Sequence, residues 1–297
     1  GDFVDTYAAA LAASGKMVDA ASMADLRHQY GLDQNLFVQY FHWIAGVLQG
    51  DLGYSLVERA PVASLLGKYL GPTLVMSLVS LALAWLLAWP VGIYAAVKQY
   101  SFGGRLLGGA GLIGLALPQF LLALLVSYIG LKYCGSSLGS LFSSGVRHVA
   151  GSWLWWQDLF RHLWPPVLIV GVAVLASLVR VMLVNLRDQL RMPYVMAARA
   201  RGLPEICVLL SYPARVALNP FVSALGWLLP NLISGVVVVS IVLNLQTLGP
   251  LLYRSLLSHD AYLSGAILLS ISLLTAIGML ISDLFLAFLD PRIRFEQ

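Results

Sequence analysis

Residues 216–253 read VALNPFVSALGWLLPNLISGVVVVSIVLNLQTLGPLLY, and none of these 38 side chains carries a charge. A helix needs about 20 consecutive apolar residues to cross the hydrocarbon core of a bilayer. Four further runs approach or exceed this length, the last of them interrupted only by Arg180: 69–97, 106–131, 261–282 and about 163–186. A soluble core could contain one such run, but five in 297 residues indicate an all-α integral membrane protein, a polytopic helical bundle.

The overall composition supports the same class. Hydrophobic residues make up 59% of the chain and charged residues only 11%, whereas soluble domains have about 25% charged residues. The mean hydropathy is +0.82. A lipid bilayer is therefore the first partner that the sequence predicts.

The apolar runs divide the chain into three parts. We expect an external N-terminal region (1–71), a transmembrane domain (72–290) and a short cytoplasmic C-terminal tail (291–297). Within the transmembrane domain a long polar loop occupies 188–219. The predicted spans are at about 72–97, 106–131, 163–187, 220–243 and 262–288.

The basic residues predict the orientation. Ten of the 18 Lys and Arg residues fall in short segments on one side, and the other eight are spread over about twice that length. Short loops rich in Lys and Arg face the cytoplasm, so the 188–219 loop and the C-terminus should be cytoplasmic in a plasma (inner) membrane. This asymmetry also accounts for the net charge of +4, so no nucleic-acid partner is required.

The same orientation places Gly1 outside, with a long polar region that no signal sequence precedes. We therefore expect a further span ahead of Gly1. In the N-terminal region, apolar residues recur at helical spacing from Leu36 to Leu48, with Asp33 as the expected cap. This amphipathic helix could lie at the membrane interface or pack on neighbouring spans, and the sequence does not distinguish the two.

The central loop contains the segment Tyr194–Pro204, YVMAARARGLP. Its alanines favour a helix with a smooth surface, Gly202 permits a sharp break, and Pro204 is suited to begin a second helix with Glu205 near its N-terminus. We predict a helix, a glycine corner and a second helix onto which another protein docks, with Ala198 at the close-packed contact. The alternative is an ordinary basic cytoplasmic loop.

Helix breakers and polar residues mark the interior of the spans. Pro118 and Pro230 interrupt apolar runs, and Gln119 and Asn231 follow them directly. Such polar groups usually face a bundle interior or water, which makes these four residues candidates for a transport pathway. The alternative for each is a hydrogen bond to the backbone of a neighbouring helix.

Two charged residues, Arg180 and Asp283, lie near the cytoplasmic ends of predicted spans. A mutual ion pair, or side chains that extend to the interface, is the default interpretation. A role as a gate is the alternative.

Four short segments, in order along nearly the whole chain, carry a resemblance to a known family. They are YGLDQ at 30–34, GDLGYS at 50–55, ARARGLP at 198–204 and LDPRIR at 289–294. The chain resembles the permease subunit of a binding-protein-dependent ABC importer, in the oligopeptide, dipeptide and nickel branch. The resemblance implies the type I importer fold, with a sixth, N-terminal span ahead of the Gly1-Asp2 pair.

The resemblance also implies partners and site residues. A soluble binding protein would deliver substrate, a second homologous permease would complete the pathway, and two ABC ATPase subunits would bind the cytoplasmic loop. The residues of that coupling loop would be Met196, Ala197, Ala198, Arg199, Ala200, Arg201, Gly202, Leu203, Pro204 and Glu205.

Three departures from the family pattern leave the substrate open. Met196 stands where the general motif has Glu, and Ser240, a further pathway candidate, stands where many relatives carry an acid. Gln246-Thr247 replaces a common Pro-Gly pair. Peptides are the leading expectation, with nickel chelates, glutathione-like thiols and short oligosaccharides as the other possibilities.

The chain itself has no nucleotide-binding motif. The Gly-Lys pairs Gly15-Lys16 and Gly67-Lys68 have Ala10 and Val62 where a P-loop needs its first glycine. We therefore expect no enzyme activity and no cofactor, with ATP bound by partner subunits.

Two other classes of protein compete with this interpretation. An intramembrane hydrolase would need a metal or nucleophile motif, but the sequence contains neither H-E-x-x-H nor G-x-S-x-G, and its five histidines fall in predicted external segments. An ATP-independent channel or secondary carrier is the stronger alternative, because kinked spans would serve it equally well.

Overall fold

The structure is a computed structural model that describes residues 4–5, 8, 20–29, 33–134 and 153–289. Its elements are α1 (Ala20–Gln29), α2 (Leu36–Leu48), β1 (Tyr54–Ser55), β2 (Ala60–Pro61), α3 (Val62–Val97), α4 (Phe102–Ala116), α5 (Gln119–Ile129) followed by a π-helical turn (Gly130–Cys134), α6 (Trp153–Leu190), α7 (Pro193–Ala200), α8 (Glu205–Ser211), α9 (Pro213–Val242), α10 (Leu248–Leu257) and α11 (Ala261–Leu289). The predicted tail, 291–297, lies outside the described residues.

The membrane-scale helices agree with the predicted helical bundle. Four helical segments are long and apolar enough to cross a membrane, and the α4–α5 pair makes a fifth if it counts as one span. The four are Val62–Val97, His162–Leu190, Glu205–Val242 and Ala261–Ala287.

The second predicted span is not one continuous helix. The run 106–131 divides into α4 and α5, which are bent by 100° relative to each other. Pro118 stands at the break with φ −62° and ψ 135°, and Leu117 before it is extended. Proline has no N–H to donate and disfavours helical geometry in the residue before it, so this apolar run turns rather than bending gently.

The chain forms two compact units. The first comprises 1–73 and 246–272, and the second comprises 74–245 and 273–297. In the first unit, the start of α3 packs with α10 and the start of α11 around a buried aliphatic cluster that includes Val62, Leu251, Leu263 and Ile267.

Helix α2 belongs to the first unit and begins at Leu36 as predicted, but its N-cap lies two residues later than expected. Asn35, not Asp33, is the N-cap, and its side chain accepts a hydrogen bond from the Phe37 N–H at 3.3 Å. Trp43 packs on the buried cluster, while Phe37 and Phe41 remain exposed. One side of α2 therefore packs on its own protein and the other presents aromatic side chains.

A buried carboxylate connects the hairpin of this unit to α11. Asp260 is fully buried, and its Oδ2 accepts hydrogen bonds from the Ser55 hydroxyl at 2.7 Å, the Leu56 N–H at 3.0 Å and the Val57 N–H at 3.3 Å. Its Oδ1 accepts the Leu263 N–H at 3.1 Å, which caps α11. The hairpin pairs Tyr54 with Pro61 in antiparallel register, so one side chain fixes both the hairpin turn and the start of a long helix.

In the second unit, α6 packs along α4 and α9. Its buried side chains include Leu178, Met182 and Leu186, and the Trp85 ring of α3 lies 5.5 Å from the Phe221 ring of α9. A Cβ at Gly92 would lie 2.6 Å from the Met182 Cβ. The glycine therefore allows α3 to approach α6 closely.

Candidate functional site

The segment between α6 and α9 forms a compact corner. Helix α7 ends at Ala200, Gly202 adopts φ +76°, and α8 begins at Glu205. Pro204 is the N-cap of α8, with φ −54° and ψ 140°, one position before the first helical residue where it was expected. Only glycine takes such a positive φ without a steric penalty, so Gly202 sets the direction in which α8 leaves α7.

An exposed salt bridge joins α7 to α8 at the corner. The Arg199 Nε lies 3.2 Å and 3.1 Å from the two Glu205 carboxylate oxygens, and its Nη2 lies 2.5 Å from Oε1. The hydrogen bond to Glu205 raises the pKa of the Arg199 guanidinium above its usual value. Both side chains are exposed, and such surface pairs contribute only about 0.2–1 kcal/mol. The bridge therefore contributes little to the stability of the corner.

The interior of the corner is a small apolar cluster. Val195 and Ala198 of α7 pack on Val208 of α8, and all three side chains are buried. The prediction that Ala198 forms the docking contact is therefore wrong for this structure, because its methyl group already fills the space between α7 and α8. The alanine content of the segment predicts a helix but does not tell the inner face of so short a helix from the outer one.

The outer surface of the corner consists largely of apolar side chains. We call Met196, Leu203, Ile206 and Leu210 the corner surface; Ile206 is 71% exposed and Met196 59%. Ala197, Ala200 and Cys207 are exposed beside them. Helix α7, at eight residues, is too short to cross a bilayer, whereas α8 is the first part of the apolar segment Glu205–Val242. The exposed apolar side chains of α7 are therefore suited to contact with a protein.

One of the predicted pathway residues, Gln119, contacts a residue on another helix. Gln119, at the start of α5, lies against Gly235 of α9, where an added Cβ would be 2.0 Å from the Gln119 Oε1. Gly235 was not identified from the sequence, because a glycine inside an apolar run has no pattern that reveals a partner 116 positions away in the chain.

The other pathway candidates bond within their own helix. The Asn231 Nδ2 donates to the Trp227 carbonyl at 3.1 Å, and the Ser240 hydroxyl donates to the Val237 carbonyl at 2.9 Å. Asn231 is exposed, Ser240 is fully buried, and Pro230 lies inside α9. Of these residues, Asn231 alone presents a polar side chain on the surface of an apolar helix.

We expect the contact between Gln119 and Gly235 to be measurable. Gly235→Ala should displace the Gln119 amide and lower the free energy of unfolding, and the loss should shrink in a Gln119→Ala background. A double-mutant cycle in detergent should give a coupling of about 0.5–3 kcal/mol. Gly67→Ala, at a helical glycine with open space around it, is the control and should be neutral or stabilising. Additive effects of the two substitutions would contradict the contact.

Arg180 and Asp283 do not form the ion pair that the sequence suggested. Both side chains are exposed, and no salt bridge joins them. Instead, Arg180 lines a cavity between α4 and α6 with Arg105 and Arg187. Within the described parts of the chain, no cluster of three His, Cys, Asp or Glu residues could hold a metal ion.

Comparisons with known proteins agree with this architecture. The family described as "Binding-protein-dependent transport system inner membrane component" matches residues 88–295, and the N-terminal membrane component of the same kind of system matches residues 3–79. The fold is similar to that of the inward-facing MetNI methionine ABC transporter, with a TM-score of 0.59 at 17% identity over 77% of this chain and 97% of that one.

Curated relatives extend along nearly the whole chain. The oligopeptide transport system permease protein AppB of Bacillus subtilis is 31% identical over 94% of this chain and 87% of its own length. The glutathione transport system permease protein GsiC of Salmonella typhimurium is 34% identical over 95% and 88%. The chain therefore belongs to the family of inner membrane components of binding-protein-dependent transport systems, as a multi-pass permease subunit of an ABC importer rather than an enzyme.

Proposed function

We propose that this subunit forms half of the translocation pathway for a peptide or peptide-like solute, and that α7 and α8 couple it to ATPase subunits. The observation that carries the proposal is the corner itself. Gly202 fixes its shape, the Val195–Ala198–Val208 cluster fills its interior, and the corner surface presents exposed apolar side chains where α7 meets the start of the segment Glu205–Val242. A preshaped apolar projection of this kind suits a groove on a soluble partner.

In this proposal the motor is a separate protein. Two ABC ATPase subunits bind the nucleotide, since this chain has no P-loop, and they seat on the corner surface from the cytoplasm. A second homologous permease covers polar positions on the spans, such as the exposed amide of Asn231 on α9. A soluble binding protein delivers the solute on the opposite side, and the chain itself needs no cofactor.

The substrate class rests on the relatives. The Bacillus subtilis relative is named for oligopeptide transport and the Salmonella relative for glutathione transport. Glutathione is itself a tripeptide thiol, so both names point to short peptides. Pro118, Gln119, Pro230, Asn231 and Ser240 are the proposed pathway residues of this half.

The native Cys207 provides a test of orientation and docking. It is exposed on α8, and in a Cys134→Ser background it is the only cysteine in the chain. We expect a membrane-impermeant maleimide to label it in inside-out vesicles but not in intact spheroplasts. Co-expressed ATPase subunits should then protect it from the reagent.

Two results would oppose the proposal. Labelling of Cys207 in intact spheroplasts would reverse the orientation. Equal labelling rates with and without bound ATPase would place the docking surface elsewhere. The variant Cys134→Ser/Cys207→Ser/Ser258→Cys, with its one cysteine at a half-buried position of the first unit, is the matched control, and it should be labelled from the outside.

A further inference from the structure

A cationic cavity lies between α4 and α6, apart from the corner and from the proposed pathway residues. Its volume is about 340 Å³, and Arg105, Arg180 and Arg187 all line it. Arg180 and Arg187 are seven residues apart, so they lie on the same face of α6, about 10 Å apart along its axis. A volume of this size accommodates a small polar group.

The three arginines lack carboxylate partners. No Asp or Glu lines the cavity, and among the described residues none forms an ion pair with any of the three. The Arg187 Nε is buried without a hydrogen-bond acceptor. By contrast, Arg199 and Arg254 are paired with Glu205 and Glu58. Uncompensated guanidinium groups in one cavity strongly favour an anion with several acceptor oxygens.

The lining of the cavity is partly apolar. Gly108 of α4 faces Leu183 of α6 and Gly114 faces Ala176, so the two helices run antiparallel and Arg105 lies near the level of Arg187. Leu112 and Val184 line the same cavity and are 54% and 47% exposed. Three cations and exposed aliphatic side chains therefore line the same groove between α4 and α6.

We propose that this cavity binds the phosphate group of an anionic phospholipid, with the acyl chains along Leu112 and Val184. Basic pockets between transmembrane helices at the cytoplasmic side are suited to anionic headgroups. Free phosphate would satisfy the arginines but would leave the exposed side chains of Leu112 and Val184 uncovered. The lipid supplies both the charge and the hydrocarbon that the groove requires.

The test uses the full chain, delipidated in neutral detergent, with dioctanoyl phosphatidylglycerol, dioctanoyl phosphatidylcholine and inorganic phosphate as probes. Binding is followed by native mass spectrometry and by the shift in unfolding temperature. We expect phosphatidylglycerol to bind at least about tenfold more tightly than phosphatidylcholine. The double variant Arg180→Gln/Arg187→Gln should lose this preference.

A matched control removes the same charge elsewhere. Arg191→Gln/Arg215→Gln changes two exposed arginines outside the cavity and should retain the preference. Arg105→Gln, on α4, provides a second test that leaves α6 intact, and it should weaken phosphatidylglycerol binding several-fold. Equal loss in both double variants, or no loss in Arg105→Gln, would overturn the site. Stabilisation by inorganic phosphate equal to that by phosphatidylglycerol would overturn the lipid as its source.

Discussion

Gly202→Val should abolish uptake while the protein still reaches the membrane at normal levels. Gly202 has φ +76°, a conformation that costs a β-branched residue at least about 1–2 kcal/mol. Relief of that strain redirects α8, which separates Val208 from Val195 and Glu205 from Arg199. No span is touched, so insertion is preserved and only the shape of the corner surface changes.

The control for this change is Gly202→Asn, because asparagine adopts positive φ several-fold more readily than other non-glycine residues. No heavy atom lies within 4 Å of an added Cβ at Gly202, so size alone cannot explain a difference between the variants. Transport and the amount of co-purified ATPase are measured for both. If the valine variant transports normally with ATPase bound, the coupling role of the corner fails.

Asp260→Ala should strongly destabilise the first unit. The Ser55 hydroxyl and the Leu56, Val57 and Leu263 N–H groups would all lose their acceptor. Each buried group left unsatisfied costs about 1–3 kcal/mol, so we expect the free energy of unfolding to fall by about 3 kcal/mol or more. Thermal unfolding in detergent provides the measurement.

Asp51→Ala is the matched control for Asp260→Ala. The Asp51 carboxylate accepts one hydrogen bond, from the Gly53 N–H at 2.9 Å, and its side chain is exposed. It should lose no more than about 1 kcal/mol. Similar losses in the two alanine variants would show that the carboxylate of Asp260 does not organise the hairpin.

The local features of this protein were predictable from its sequence. Charge-free runs identify the membrane-scale helices because their length is set by bilayer thickness. Gly202 marked the corner because its freedom at positive φ is a property of the residue alone. The glycine-to-proline spacing likewise placed the start of α8 within one residue.

Features that depend on distant contacts were not predictable in the same way. Ser55 and Asp260 are 205 positions apart, and no pattern near either residue reveals the other. The position of Asp260 just before a long apolar run is a signal for an N-cap, but it does not reveal the contact with the hairpin. The bend at Pro118 looked like a kink because sequence shows where a helix is interrupted but not how far it turns. Ala198 was assigned to the outer face from the sequence, but the packing of α7 on α8 buries it. That packing depends on Val208, ten positions away, and cannot be read from α7 alone.

The proposal that this subunit serves ATP-driven import is tested most directly by uptake into proteoliposomes that contain this subunit, a second permease and the ATPases. The probes are a labelled dipeptide and labelled glutathione, added with the binding protein on one side and ATP on the other. We predict accumulation of a labelled peptide against its gradient only when both ATP and the binding protein are present. Equilibration of the probe without ATP or the binding protein would contradict it and identify the chain as a channel or secondary carrier.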